Sequence, residues 1–247
     1  MRRIRITVSY DGTEFHGWQV QPGLPTIQGW LEQILTGIES SPVHVHGSGR
    51  TDAGVHAIAQ VAAFDLVNPI PCDNLRKAVN RLLPRSIRVT SVKETAADFH
   101  PRFQAKEKTY EYRIWREEIC PPMRRLYVFH HPYPLNEAAI TATAPLLQGE
   151  HDFSAFAAAD EKDELGRSKV RRIFASAMWR EGGELVYRVR GSGFLKHMVR
   201  MIVGTLLEVG KGNLTEADLL ARLQPGYPAK SGPAVPASGL CLMNVEY

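Results

Sequence analysis

The strongest constraint on this chain is a change of apolar period that recurs twice in nearly the same order. Ile4, Ile6 and Val8 alternate with polar residues, as in a half-buried strand, and the turn pair Asp11-Gly12 ends the run. Thr26 suits an N-cap, and after it the spacing lengthens: Ile27, Leu31, Ile34, Leu35 and Ile38 predict one face of a helix. Val43 to His46 and Gln60 to Leu66 read as strands. Asp73 is expected to cap a helix that runs through Leu83 and is stopped by Pro84, and Ile87 to Val92 is a further strand. The first half therefore reads β-α-β-β-α-β.

The second half begins near residue 100 and follows a similar order without repeating the sequence. Lys106 to Trp115 is strand-like, Asn136 is placed to cap a helix to Leu147, and strands at Val170 to Trp179 and Leu185 to Arg190 flank Glu181-Gly182-Gly183. A helix is predicted over Phe194 to Val209, with Leu195, Met198, Ile202, Leu206 and Val209 on one stripe. Thr215 is expected to cap a short last helix, and Leu240 to Val245 reads as a closing strand. These elements predict an α/β protein, more strictly α+β, with a mostly antiparallel mixed sheet, flanking helices and a cleft between two lobes, 1–104 and 105–247. A chain of 247 residues that is 44% apolar is large enough to bury such a core. Ala159 to Lys169, charged and expected to be mobile, and Pro225 to Pro236, rich in Pro and Gly and expected to be extended, read as linkers.

Thirty basic residues against 26 acidic ones give a net charge of +4 and a pI of about 9.0, a tilt toward an anionic partner. Cys72, Cys120 and Cys241 are odd in number and form no CxxC, so neither a disulfide framework nor a zinc site is expected. Met1-Arg2-Arg3 runs straight into strand pattern without a signal-like apolar region, and no stretch approaches 18 apolar residues; a cytoplasmic location is expected.

The stretch Gly47-Ser48-Gly49-Arg50-Thr51-Asp52-Ala53-Gly54-Val55-His56 has more chemistry than a hairpin needs. Its glycines allow tight geometry that presents Asp52 outward, although an Asp in such a loop also commonly bonds its own turn. Arg50 is either a surface cation or a partner for that carboxylate. His44, His46 and His56 raise the question of zinc, but no further ligand sits at a telling spacing and no metal is expected. At strand period Lys106, Lys108, Tyr110 and Tyr112 share a face, which suits a sugar-phosphate chain with an unstacked base and suits a core-packed strand equally. Lys196, His197 and Arg200 fall in the first turns of the predicted helix, where cations oppose the helix dipole; they call for an anionic neighbour or are solvated.

Together these segments resemble the tRNA pseudouridine synthases of the A type, the TruA family. The resemblance rests on Tyr10-Asp11-Gly12, Gly17-Trp18-Gln19, Gly49 to His56, Phe99-His100-Pro101-Arg102-Phe103, Lys108 to Tyr112, His151-Asp152-Phe153, Gly193 to Leu195 with Met198 to Arg200, Gly239-Leu240 and Val245 to Tyr247, and so spans nearly the whole chain. It implies that uridine becomes pseudouridine at tRNA positions 38, 39 and 40: the N1–C1′ bond breaks, the uracil turns, and C5 bonds to C1′. No cofactor or metal is consumed, in keeping with a sequence that lacks a P-loop or dinucleotide fingerprint. Asp52 matches the catalytic aspartate, which acts on C1′ or on the 2′ proton, two routes the sequence leaves open. Arg200 matches its arginine partner, Tyr110 the tyrosine that stacks on uracil, and Arg50 the arginine that fills the space of the flipped nucleotide. Leu195 matches an apolar residue at the uracil pocket, where a core role fits as well. Lys196, at a variable position, joins Arg2, Arg3, Arg5, Lys169, Arg171, Arg172, Arg190 and Arg200 as cations that folding could gather against RNA. Pro101 departs from the small residue usual there. The resemblance further implies a homodimer. Against it stand a non-catalytic RNA-binding protein of the same fold and a metal-dependent hydrolase built on the three histidines.

Overall fold

The computed structural model describes residues 1–159, 168–228 and 231–247. All but the ends of the 159–169 segment, and two residues of the 225–236 segment, thus lie outside the described residues. In chain order the elements are β1 (Arg2–Tyr10), α1 (Ile27–Glu39), β2 (His46–Gly47), β3 (His56–Leu66), α2 (Cys72–Leu82), β4 (Ile87–Thr95) and β5 (Glu107–Trp115). There follow β6 (Phe129–His130), α3 (Glu137–Thr143), β7 (Gly149–Asp152), β8 (Val170–Glu181), β9 (Glu184–Gly191), α4 (Met198–Gly210), α5 (Glu216–Ala221) and β10 (Leu240–Glu246). They fall into two compact units, Met1–Lys106 with Cys241–Tyr247, and Glu107–Leu240, and the fold is mixed α/β with mostly antiparallel strand pairing.

In the first unit β1 lies between β3 and β4 and is antiparallel to both. β10 pairs in parallel with the start of β3, Cys241 opposite His56, and β2 pairs with β3 further along, His46 opposite Ala63. Ile4, Ile6 and Val8 are buried, as are Ile27, Leu31, Ile34 and Leu35 of α1 and Leu75 and Val79 of α2. Each such side chain stabilises the fold by about 1.5–3 kcal/mol. Thr26 caps α1 as its sequence predicts, its side chain accepting from Gly29 N. Asp73 does not cap α2: the N-cap is Pro71, and Asp73 sits in the first turn, where its charge favours the helix dipole. Asn80 fastens α2 to β4 by giving Nδ2 to Val89 O and accepting from Val89 N, both at 2.8 Å.

The expected strand at Val43 to His46 shrinks to His46–Gly47. Side chains of α1 occupy the backbone groups that a ladder would use: Thr36 Oγ1 accepts from Val43 N, Glu32 Oε1 accepts from Val45 N, and Gln28 Nε2 donates to Val45 O. β3 in turn begins four residues before the apolar run suggests, because its early residues find partners in β1 and β10.

In the second unit the strands run β5-β9-β8-β7, all antiparallel, with β6 parallel to the end of β5. The two-residue loop Gly182-Gly183 closes the β8–β9 hairpin, with Gly182 at φ +58°. Asn136 caps α3 through Ala139 N, and the expected continuation to Leu147 tightens into a 3-10 turn from Ala144 where Pro145 enters. Thr215 and Asp218 form a reciprocal capping box on α5. α4 departs most from expectation. It begins at Met198 rather than Phe194, because His197 takes the left-handed conformation at φ +61° and cannot continue a right-handed helix. Eleven of its thirteen residues are buried, so it is the central helix of its unit rather than a surface helix with one apolar stripe. Among the described residues no helix is long and apolar enough to cross a membrane.

Candidate active site

Arg50 and Asp52 belong to the first unit, on the loop between β2 and β3. Thr51, between them, is its anchor. Its carbonyl accepts from Trp18 N at 3.1 Å, and its hydroxyl lies 2.9 Å from Tyr10 Oη. Tyr10 ends β1 and is buried, and that burial pushes its phenol well above the ordinary tyrosine range, so it stays a neutral hydroxyl. On β3, Gln60 gives Nε2 to Gly49 O at 2.9 Å while its Oε1 accepts from Ser48 Oγ. At the far end Gly54, at φ +77°, donates to Phe15 O, and Val55 N returns to Asp52 O at 3.2 Å. Asp52 is half-buried and Arg50 exposed at the tip of this braced turn.

Two glycines of the N-terminal segment let the loop sit so close. A Cβ on Gly12 would stand 2.1 Å from Val55 O, and one on Gly17 would stand 2.5 Å from Thr51 O, with Gly17 itself at φ +85°. The pairing of Tyr10-Asp11-Gly12 and Gly17-Trp18 with the Asp52 loop in one sequence signature thus has a steric cause. His56, which follows the loop, accepts from Gly12 N at Nδ1 (3.1 Å) with Asp11 Oδ1 at 3.2 Å. His44 instead faces Glu32. Among the described residues no three His, Cys, Asp or Glu side chains are grouped so as to hold a metal ion.

Tyr10→Phe is expected to leave the fold intact and loosen the loop. A buried Thr51 hydroxyl short of a partner costs about 1–2 kcal/mol. The urea midpoint should fall accordingly, and any turnover that depends on the placement of Asp52 about tenfold. Unchanged turnover with a lowered midpoint would separate the Tyr10–Thr51 bond from the placement of Asp52.

Tyr110, Leu195, Lys196 and Arg200 belong to the second unit. Tyr110 sits mid-strand in β5 opposite Val189, and Phe194 meets its ring edge to face at 5.0 Å, which places Leu195 one residue from that contact. Tyr112, two residues on, is fully buried and donates its hydroxyl to Pro236 O at 2.7 Å; burial raises its phenol far above the ordinary range, against a small opposing pull from Arg200. The shared face of this strand is therefore a core face for Tyr112. Lys196 stands before α4, not within it, and gives Nζ to Ala159 O at 3.2 Å. Arg200 is in the first turn of α4, and its Nε donates to Val235 O at 2.7 Å. A backbone carbonyl is thus one electronegative neighbour that its place near the positive helix end calls for. The 231–236 segment lies along α4 because Gly204 and Gly232 leave room for it: a Cβ on Gly232 would stand 2.7 Å from Thr205 N.

Several cations expected to meet RNA are already engaged. Arg2 pairs with Glu94, Arg3 with Asp65 and Arg190 with Glu107. Sequence reading missed the buried carboxylates Glu111 and Glu184, which hold Arg113 between them and reach Arg188 and Arg124 respectively. Burying two carboxylates is tolerable only with such partners. Only the alternation of Glu and Arg along β5 and β9 could have signalled them.

The family model described as tRNA pseudouridine synthase matches residues 6–104 and 143–247. The chain is 61% identical over 247 residues to tRNA pseudouridine synthase A of Solibacter usitatus (strain Ellin6076), all of both chains being covered. It is 42% identical over 247 residues to the protein so named in Geobacillus kaustophilus (strain HTA426), covering 100% of this chain and 95% of that one. To its counterpart in Anoxybacillus flavithermus (strain DSM 21510 / WK1) it is 43% identical over 248 residues, covering 100% and 99%. Full-length likeness of this extent, added to a rigidly braced aspartate loop, means that the chain belongs to the tRNA pseudouridine synthase family.

Proposed function

We propose that this protein isomerises uridine to pseudouridine at positions 38, 39 and 40 of the tRNA anticodon stem-loop, as a cytoplasmic homodimer. The observation that carries the reading is the Asp52 loop, a half-buried carboxylate on a turn fixed by Tyr10, Thr51, Gln60 and two sterically required glycines. Such bracing suits a group that must meet a reacting carbon within tenths of an ångström. Breaking the N1–C1′ bond builds positive character on the sugar, and an ionised carboxylate beside it stabilises that charge, by attack at C1′ or by taking the 2′ proton. The uracil then turns and C5 bonds to C1′, after which the C5 proton must leave. In this reading Arg200 is the cationic member of the catalytic set, Tyr110 stacks on the uracil and helps remove the C5 proton, and Arg50 occupies the space of the flipped nucleotide. Leu195 lines the apolar side of the base, and Lys196 contacts the backbone.

The test is release of tritium from tRNA labelled at uracil C5, with EDTA present. Release with pseudouridine appearing at 38–40 supports the reading; tight tRNA binding without release would instead favour a non-catalytic RNA-binding protein. Tyr110→Phe keeps the stacking ring and loses the hydroxyl. Its tRNA affinity is expected to stay within a few-fold of the parent while turnover falls about 10²–10⁴-fold, the range for a lost proton-transfer group. Light scattering of the purified protein tests the dimer.

A further inference from the structure

In the first unit four aromatic rings follow one another in space: His44 to His46 at 5.2 Å between centroids, His46 to His100 at 5.5 Å and His100 to Phe103 at 4.3 Å. The last pair is the closest of the three, its planes tilted by 34°. Phe103 is 76% exposed, with Arg102 beside it, 6.0 Å from its ring centre. A single exposed Phe is ordinary on a protein surface. A braced one is not. His100 Nδ1 accepts from Arg102 N at 3.1 Å and lies 3.4 Å from Phe103 N, which fixes the ring that Phe103 leans on. Below the turn Arg3 Nε donates to Phe99 O, Tyr247 Oη donates to Pro101 O, and Arg5 lies over the rings of Phe99 and Tyr247.

We propose that Phe103 and Arg102, backed by His100 and His46, form a second RNA-contacting platform, on which an unpaired base of the tRNA stacks while Arg102 meets its phosphate. The inference rests on the reading of the chain as a tRNA-modifying enzyme. An open aromatic face held rigid before the ligand arrives lowers the ordering cost of stacking, and a guanidinium at its edge matches a phosphate. Among the described residues Arg102 has no carboxylate partner. The charged groups around the histidines are already committed: Arg3 to Asp65, and Glu32 to His44. Burial, then His44 and Arg3, hold His46 below the ordinary imidazole range, and burial, then Arg3, do so for His100, which leaves both rings neutral at pH 7. Among the described residues the histidines are not grouped as metal ligands. The platform also lies on the route to the reacting loop, since β2 carries His46 and leads directly into Ser48 to Asp52.

The experiment is filter binding of unmodified tRNA transcript to the full-length protein and to Phe103→Ala, Phe103→Leu, Phe103→Trp and Arg102→Ala, across a salt series. Stacking of one base on an aromatic ring corresponds to roughly 5- to 150-fold in affinity. Phe103→Ala and Phe103→Leu should lose about that factor and Phe103→Trp should keep the parent affinity. Arg102→Ala should reduce the slope of log affinity against log salt by about 0.7–0.9, one phosphate contact. The inference is overturned if all variants bind within twofold of the parent, or if Leu serves as well as Phe. It also fails if Phe103→Ala changes the oligomeric state and not RNA binding, since the face would then be a protein contact. Failure of the parent itself to bind tRNA would overturn the proposed function first; parent binding with unaffected variants would sink the platform alone.

Discussion

Asp52→Asn should bind tRNA and release no measurable tritium from C5-labelled uracil, a loss of about 10³-fold or more. Asn keeps the size of the side chain and the backbone carbonyl that Val55 uses, so the turn survives. What disappears is the negative charge. Neither route to pseudouridine tolerates that: a neutral amide neither attacks C1′ nor removes the 2′ proton, and it does not balance charge on the sugar. Removal of a reacting group of this kind usually costs three or more powers of ten, with residual rate supplied by binding alone. Turnover within tenfold of the parent would move the chemistry to another carboxylate and leave the bracing of this loop without a catalytic reason. Affinity separates loss of chemistry from loss of binding and is measured on the same samples.

Gly12→Ala has the second-largest expected effect, and it substitutes none of the proposed catalytic residues. The new methyl would stand 2.1 Å from Val55 O and 2.6 Å from Val55 C, backbone atoms that have no rotamer to change. The Asp11–Gly12 segment and the end of the loop must therefore move apart. Overpacking of this kind costs about 1–3 kcal/mol, read as a fall in the urea midpoint. Displacing Asp52 by about 1 Å should lower turnover roughly 10²-fold while the fold persists at low denaturant. A variant with parent turnover would show that the loop moves freely without consequence, contrary to its dense bracing.

The two expectations rest on different levels of the chain. The proposed role of Asp52 rests on its charge, and its loop is marked in the sequence by the glycines around it. The effect of Gly12→Ala comes through the close approach to Val55, 43 positions later, and nothing in the Asp11-Gly12 turn signal announces that contact. The same division runs through the fold. Thr26, Asn136 and Thr215 cap their helices as read, because a cap is satisfied by amides two or three residues away. Val43 to Val45 has a strand's alternation and yet is no strand, because side chains of α1 take its amides and carbonyl first.

The sequence by itself therefore determined most of the order of strands and helices, the caps at Thr26, Asn136 and Thr215 and the hairpin at Gly182, all of which follow from periods and turn chemistry within a few residues. Tertiary structure alone decided that β10 pairs with β3, that α4 starts at a left-handed His197 and is buried nearly all round, and that Glu111 and Glu184 lie buried against arginines. It also decided that four aromatic rings from two distant segments follow one another from His44 to Phe103. The physical reason is one of range: hydrogen bonds to near neighbours are encoded beside the groups they satisfy, whereas burial, ion pairing and ring contact depend on partners that only folding brings within a few ångströms.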